Sequence, residues 1–122
     1  MKELKIVIAD DSEAIRQLLQ HEFAKLNGCV LAGMAADGRE AIEMVRALAP
    51  DIVVLDISMP HRNGIQVLRE IRKADPSRVI IMFTGDPSVV LREVCLEMGA
   101  NFYLDKSQLE DLMDICRDHL NG

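Results

Sequence analysis

The feature that most restricts the fold is an alternation of two kinds of segment. Five short runs of β-branched and aliphatic residues occur at Leu4–Ala9, Cys29–Met34, Ile52–Leu55, Val79–Phe83 and Phe102–Leu104. The stretches that follow them return their apolar residues at helical spacing. The first carries Ile15, Leu18, Leu19, Phe23 and Leu26, the second Ile42, Val45 and Leu48, and the third Ile65, Leu68 and Ile71. The last carries Leu109, Leu112, Met113, Cys116 and Leu120. Runs such as KIVIAD and DIVVLD are apolar almost throughout, as strands covered on both faces are. Five strand–helix units are too few for a closed eight-stranded barrel. With right-handed crossovers they predict an α/β fold, a (βα)5 doubly wound open parallel sheet.

Helix starts are punctuated. Asp37 with Glu40, Asn63 with Gln66, and Ser107 with Glu110 have capping-box spacing, and Asp86 before Pro87 predicts a capping carboxylate before a first-turn proline. Gly28 and Gly99 stand where the first and fourth helices should stop. The fourth helical stretch, with Val89, Val90, Leu91, Val94, Cys95, Leu96 and Met98, has more apolar residues than one buried stripe uses. Two readings stand for it: tight packing on the sheet, or a partner surface to which Val89 or Leu96 contributes.

Composition narrows the function. The 122 residues suit one domain, and with 3% aromatics and no Trp the core must be built from Val, Ile, Leu, Ala and Met. A formal net charge of −6, without any Lys/Arg cluster interleaved with aromatics, argues against direct nucleic-acid binding. Cys29, Cys95 and Cys116 lack CxxC or metal-finger spacing and lie in apolar stretches, which predicts buried free thiols in a reducing compartment. His21, His61 and His119 are scattered and expected on the surface. The opening MKELKIVIAD has too short an apolar run for a secretory signal, and no later stretch could span a bilayer. A cytoplasmic setting without membrane insertion is expected.

In open parallel sheets the ligand site lies beyond the carboxyl ends of the strands. Those ends carry Asp10 and Asp11 after the first strand, Asp56 after the third, Thr84 after the fourth and Lys106 after the fifth. Carboxylates gathered on one rim repel, and one takes up a proton unless a cation compensates. Mg²⁺ suits such a site because it prefers oxygen ligands and keeps several waters. Lys106 adds fixed positive charge and Thr84 a hydroxyl, a set that fits a phosphoryl group carried on a carboxylate. Asp56, with acid on one side and Thr84 and Lys106 on the other, is the expected acceptor.

In this order the motifs resemble the receiver domain of bacterial two-component response regulators, of the chemotaxis-regulator type. The resemblance covers essentially the whole chain, read as one receiver domain over 1–122. It rests on Asp10–Asp11, the run DISMPHRNG from Asp56 to Gly64, Thr84, and Lys106 in GANFYLDK. It implies a flavodoxin-like sheet of order 2-1-3-4-5. It also implies phosphorylation of Asp56, direct metal ligation by Asp11 and Asp56, ligation through water by Asp10, and a share from the Ser58 backbone carbonyl. The metal would be Mg²⁺ or Mn²⁺. Thr84 and Lys106 would hold phosphoryl oxygens, while Ser58 and Asp86, flanking the approach of water, would modulate the lifetime of the modified state. Tyr103 matches an aromatic position that moves inward on activation; a fixed, half-buried edge-strand tyrosine is the other reading.

The implied partners are a histidine kinase or histidine phosphotransfer protein as phosphodonor, and a downstream protein target or a missing output domain. No enzymatic role is expected beyond assistance to the domain's own phosphorylation and dephosphorylation. Met59–Pro60 reads as a loop stiffener, and Gly64 as a backbone position that other residues would strain. The sequence departs from the family's commonest form at Ser107, where a proline with a cis bond usually follows the lysine. A cis bond before a non-proline residue costs roughly 2.5–4 kcal/mol, so a trans bond is expected here. Gly85 should leave the phosphoryl group relatively open.

Two other functions use some of the same residue types. An aspartyl-phosphate hydrolase also uses Asp and Lys at strand ends, but usually has a further acid two residues after the nucleophile, where Ser58 stands. A flavodoxin-like FMN binder is disfavoured by the scarcity of aromatics and the acid-rich rim. The sequence stops at Asn121–Gly122, just after the fifth helix, which fits a stand-alone regulator and equally a receiver excised from a larger DNA-binding regulator.

Overall fold

The computed structural model describes residues 3–86 and 88–122. Ten elements alternate along the chain: β1 (Leu4–Ala9), α1 (Glu13–Ala24), β2 (Cys29–Ala35), α2 (Gly38–Leu48), β3 (Ile52–Leu55), α3 (Gly64–Ala74), β4 (Val79–Thr84), α4 (Val89–Glu97), β5 (Phe102–Asp105) and α5 (Leu109–Asn121). The strands form one parallel sheet in the order β2-β1-β3-β4-β5. The (βα)5 doubly wound arrangement expected from the alternation is therefore the observed one.

Strand residues alternate between two cores, because successive side chains leave a strand on opposite faces. Val7, Ala9, Val53, Leu55, Ile80 and Met82 pack with Ala41, Ile42 and Val45 of α2, Val67, Leu68 and Ile71 of α3, and Cys95 of α4. Ile6, Ile8, Ile52, Val54, Ile81 and Phe83 face the other way, onto Leu19 and Phe23 of α1 and Leu112, Met113 and Cys116 of α5. Both faces being covered explains why these strands read as continuous apolar runs. Among the described residues no helix is long and apolar enough to cross a membrane.

Three strands run one residue further than their hydropathy suggests, to Ala35, Thr84 and Asp105. Pairing continues there through the backbone, as between Thr84 and Asp105, so the polarity of the side chain does not end the ladder. Gly28 and Gly99 take the left-handed backbone (φ 95° and 105°) that turns the chain after α1 and α4. Cys95 and Cys116 are buried free thiols, whereas Cys29 is only half-buried because it opens the edge strand β2. His21, His61 and His119 are exposed.

The helix starts test the capping expectations one by one. Asn63 and Gln66 form a complete capping box, with both bonds at 2.9 Å. Asp37 accepts from the Glu40 N–H at 2.8 Å, but the Glu40 carboxylate bonds the N–H of Ala36, one residue before the cap. The other two expectations are corrected. Asp105 captures the Ser107 N–H at 2.8 Å in a side-chain turn, so Ser107 does not cap α5; that helix starts from Gln108 without a side-chain cap. In the same way Asp86 takes the Ser88 N–H at 2.9 Å, and it is the Ser88 hydroxyl that caps α4 through the Leu91 N–H. Pro87, expected in the first turn, lies outside the described residues.

At the end of the sheet away from the strand tips, Arg72 of α3 ties three segments together. Its guanidinium donates to the carbonyls of Gly99, Asp75 and Arg78 and to the Asn101 side chain at 2.6–3.1 Å.

The two serine and asparagine positions give an expected contrast. Asn63→Ala should lower unfolding free energy by about 1 kcal/mol, as loss of a working cap does. Ser107→Ala should change it by less than about 0.5 kcal/mol, as exposed substitutions do. Denaturant titration of both variants checks this, and an equal loss in the two would contradict the cap assignment.

Candidate functional site at the strand tips

Backbone register alone assembles the rim. Ala9 pairs with Leu55, so Asp10 and Asp56 emerge side by side from adjacent strands. Their amides are fixed by the sheet: Asp56 N–H donates to the Ala9 carbonyl at 2.9 Å and Asp10 N–H to that of Ala35 at 3.0 Å. Across the sheet, the Lys106 N–H donates to the Thr84 carbonyl at 2.9 Å and holds the lysine beside the tip of β4. The Lys106–Ser107 bond is trans, as expected, with no cis peptide among the described residues.

Two of the three carboxylates are buried. Asp10 and Asp56 keep only 2% and 4% of their surface, whereas Asp11 is exposed. Lys106 Nζ sits between the buried pair, 2.9 Å from Asp10 Oδ2 and 3.3 Å from Asp56 Oδ2. The other oxygens accept backbone donors, Asp10 Oδ1 from Ser12 N–H at 2.8 Å and Asp56 Oδ1 from Ile57 N–H at 2.9 Å. Carboxylate oxygens of Asp10, Asp11 and Asp56 lie within 4.8 Å of one another. Three acids against one ammonium leave two uncompensated negative charges in an all-oxygen cluster. That donor chemistry fits a hard divalent cation such as Mg²⁺.

An open cleft of about 490 Å³ above this cluster is lined by Asp11, Asp56, Ser58, Thr84, Asp86 and Lys106, together with Gly85. Six of the residues singled out from the sequence thus meet in one place, with Asp10 directly beneath. A Cβ at Gly85 would meet nothing within 4 Å, so the cleft is open on that side. Tyr103 stands apart: its ring packs with the core on the α2–α4 face, and its hydroxyl donates to the Asp86 carbonyl at 2.9 Å. Thr84 Oγ1 accepts from the Asp86 N–H at 3.3 Å, so Thr84 and Tyr103 grip the same peptide segment from its two sides.

Gly64 is required for a reason other than the expected one. Its φ is not in the left-handed region; instead a Cβ there would stand 2.0 Å from the carbonyl oxygen of Asp56, which leaves no room for a side chain. One residue that sequence reasoning missed is Arg16, whose guanidinium donates to the Asp10 carbonyl at 2.8 Å and fixes α1 against the rim. Its signal was a lone cation one turn after the acidic pair.

Burial, followed by the neighbouring charge of Asp10, raises the Asp56 pKa above its ordinary value, with the Lys106 ammonium and the Thr84 hydroxyl pulling the other way. Burial works against the Lys106 ammonium, yet its bonds to Asp10 and Asp56 win and raise its pKa. Below the ordinary value of 3.8 the Asp56 carboxyl is protonated whether the chain is folded or not, and it costs nothing. As pH rises through the raised folded value, the folded state must hold an anion it disfavours, and stability is lost. In metal-free buffer, Asp56→Asn should therefore raise the unfolding free energy at neutral pH and lose that advantage as the pH falls below 3.8. Denaturant titrations across this range measure it, and a pH-independent difference would exclude the carboxylate as its origin.

Comparison with known proteins agrees with this geometry. A family model described as the response regulator receiver domain matches residues 6–117. The chain is 38% identical over 104 residues to the chemotaxis protein CheY of Thermotoga maritima, covering 84% of each protein. It is 36% identical over 111 residues to the response regulator MprA of Mycolicibacterium vanbaalenii, covering 90% of this chain but 47% of MprA, about half that relative's length. Among solved structures, a CheX–CheY–BeF3–Mg complex from Borrelia burgdorferi superposes with a TM-score of 0.85 at 29% identity, covering 93% of this chain and 90% of that one. The hydrolase alternative is not favoured by any of these likenesses. The chain belongs to the response regulator receiver domain family, the phosphoacceptor switches of two-component signalling.

Proposed function

We propose that residues 1–122 form one receiver domain in which Asp56 is the phosphoryl acceptor. The observation that carries this reading is the position of Asp56: buried beside Asp10, bonded to Lys106, and open to the cleft. The donor is the phosphohistidine of a histidine kinase or histidine phosphotransfer protein. An Asp56 carboxylate oxygen attacks phosphorus, an O–P bond forms, and the P–N bond breaks with its electron pair leaving on the imidazole nitrogen. Hydrolysis of the acyl phosphate by water returns the carboxylate and releases inorganic phosphate. The domain assists these two reactions on itself and turns over no separate substrate.

Asp10, Asp11, Asp56 and the Ser58 carbonyl are the residues that would hold Mg²⁺ or Mn²⁺. When bound there, the metal would supply charge neutralisation for the transferring oxygens. Lys106 contributes the fixed cation: once Asp56 is phosphorylated and loses its carboxylate charge, the ammonium is free to turn from it to a phosphoryl oxygen. Thr84 offers its hydroxyl to another. If the Thr84 side chain rotates to reach it, Oγ1 moves away from the Asp86 N–H, and the segment that Tyr103 also holds is released to shift, which couples the site to β5. Ser58 and Asp86, exposed on either side of the cleft, govern the access of the hydrolytic water.

The altered surface is read by a downstream protein target or by an output domain. Val89 and Val90 of α4 are 67% and 68% exposed, and Phe102 of β5 is 37% exposed, which supports the partner-surface reading of the apolar excess in α4. Leu96 is half-buried and shares less in it. Two-component signalling of this kind places the domain in the cytoplasm.

The direct test is incubation with a small-molecule phosphodonor such as acetyl phosphate and Mg²⁺, followed by intact-mass measurement. A gain of one phosphoryl group is expected for the wild type, none for Asp56→Asn, and none when the metal is chelated. Undiminished labelling of Asp56→Asn would sink the assignment.

A further inference from the structure

Resting on the reading of Asp56 and its metal given above, we propose that Gly38, the first residue of α2, is a positioning residue for divalent-cation binding at this site. Gly38 does not line the cleft and is no part of the carboxylate cluster. Its influence passes through the segment 57–63, which carries Ser58 from the tip of β3 to the start of α3.

That segment is pressed against the start of α2. A Cβ built on Gly38 would lie 1.9 Å from the Arg62 carbonyl oxygen and 2.6 Å from both its carbonyl carbon and its Cβ. The obstacle is backbone, so no rotamer change can relieve it. The Gly38 N–H, one of the helix-start donors without an intrahelical partner, instead reaches the Pro60 carbonyl at 3.3 Å. The same carbonyl accepts the Arg62 N–H at 2.7 Å, closing a tight turn in which His61 has φ 66°. A non-glycine residue in the left-handed region persists only where its surroundings over-determine it. Here the surroundings are Gly38 on one side and Glu70 on the other. Glu70 pairs with Arg62 and also lies 3.6 Å from Arg46 of α2.

The inner end of the segment is equally fixed. Gly64 N–H donates to the Ile57 carbonyl at 2.7 Å, and the contact between Gly64 and the Asp56 carbonyl admits no side chain. A displacement forced at Arg62 therefore has little slack to absorb it before it reaches Ser58, whose carbonyl is the loop's contribution to the metal. Gly33 of β2 lacks this coupling: a Cβ there would meet only the flexible Met44 and Leu48 side chains, no nearer than 3.1 Å.

The test is calorimetric titration of Mg²⁺ into wild type, Gly38→Ala and Gly33→Ala at a temperature where circular dichroism shows all three folded. The dissociation constant should rise roughly 10–100-fold for Gly38→Ala, the range seen when support behind a metal ligand is lost. It should stay within about twofold for Gly33→Ala, and amide resonances of 57–63 should move only in the former. Acetyl phosphate labelling should slow in parallel. A folded Gly38→Ala that binds Mg²⁺ like the wild type overturns the positioning role alone; a wild type that binds no Mg²⁺ overturns both this role and the site assignment. Should Gly38→Ala fail to fold, the wild type still decides. Because coupling is reciprocal, saturating Mg²⁺ must slow exchange of the Gly38 amide relative to that of Ala41, whose bond to Asp37 is local to α2. Equal Mg²⁺-induced slowing at the two amides, or none at either, overturns it.

Discussion

Lys106 lies between two buried carboxylates, and much of the molecule is arranged to keep it there. Isolated burial of Asp10 and Asp56 side by side would cost several kcal/mol and force a proton onto one of them. The ammonium offsets part of that cost, and backbone N–H groups of Ser12 and Ile57 offset more. A residual excess of negative charge remains, and this excess is what makes the rim attractive to a divalent cation. The site is thus an electrostatic debt left open by the fold, and burial together with the neighbouring Asp10 raises the Asp56 pKa.

The sheet supplies the rigidity this arrangement needs. Asp10 and Asp56 follow directly on apolar strands paired on both sides, Lys106 follows the edge strand β5, and the two cores clamp the sheet from both faces. Side chains at the tips are therefore placed by hydrogen-bond register, which tolerates little displacement. The loops between tip and helix are less constrained, and there the molecule relies on close contacts at Gly38 and Gly64 and on side-chain turns at Asp86 and Asp105.

This division explains what could be read from the sequence. Strands and helix faces were legible because burial on two sides imprints periods of two and 3.6 on the chain. Asp10, Asp56 and Thr84 were legible because each ends an apolar run in a fold whose sites lie at those ends, and Asp11 and Lys106 because each is the second residue past such a run. The caps were only partly legible. Ser107 and Asp86 have the right spacing, but spacing cannot show that Asp105 and Asp86 take the neighbouring amides for turns of their own. Arg72, donating twice to the carbonyl of Gly99 across a sequence gap of 27, leaves no local signature at all. The need for glycine at position 38 is likewise invisible, since the obstructing carbonyl belongs to Arg62, in a different loop.

The bond between the Tyr103 hydroxyl and the Asp86 carbonyl has a practical corollary. The chain has one tyrosine and no tryptophan, so its intrinsic ultraviolet emission comes almost wholly from a single phenol tethered to the rim. Excited above the phenylalanine absorption bands, unlabelled protein therefore carries its own optical reporter of that one peptide segment.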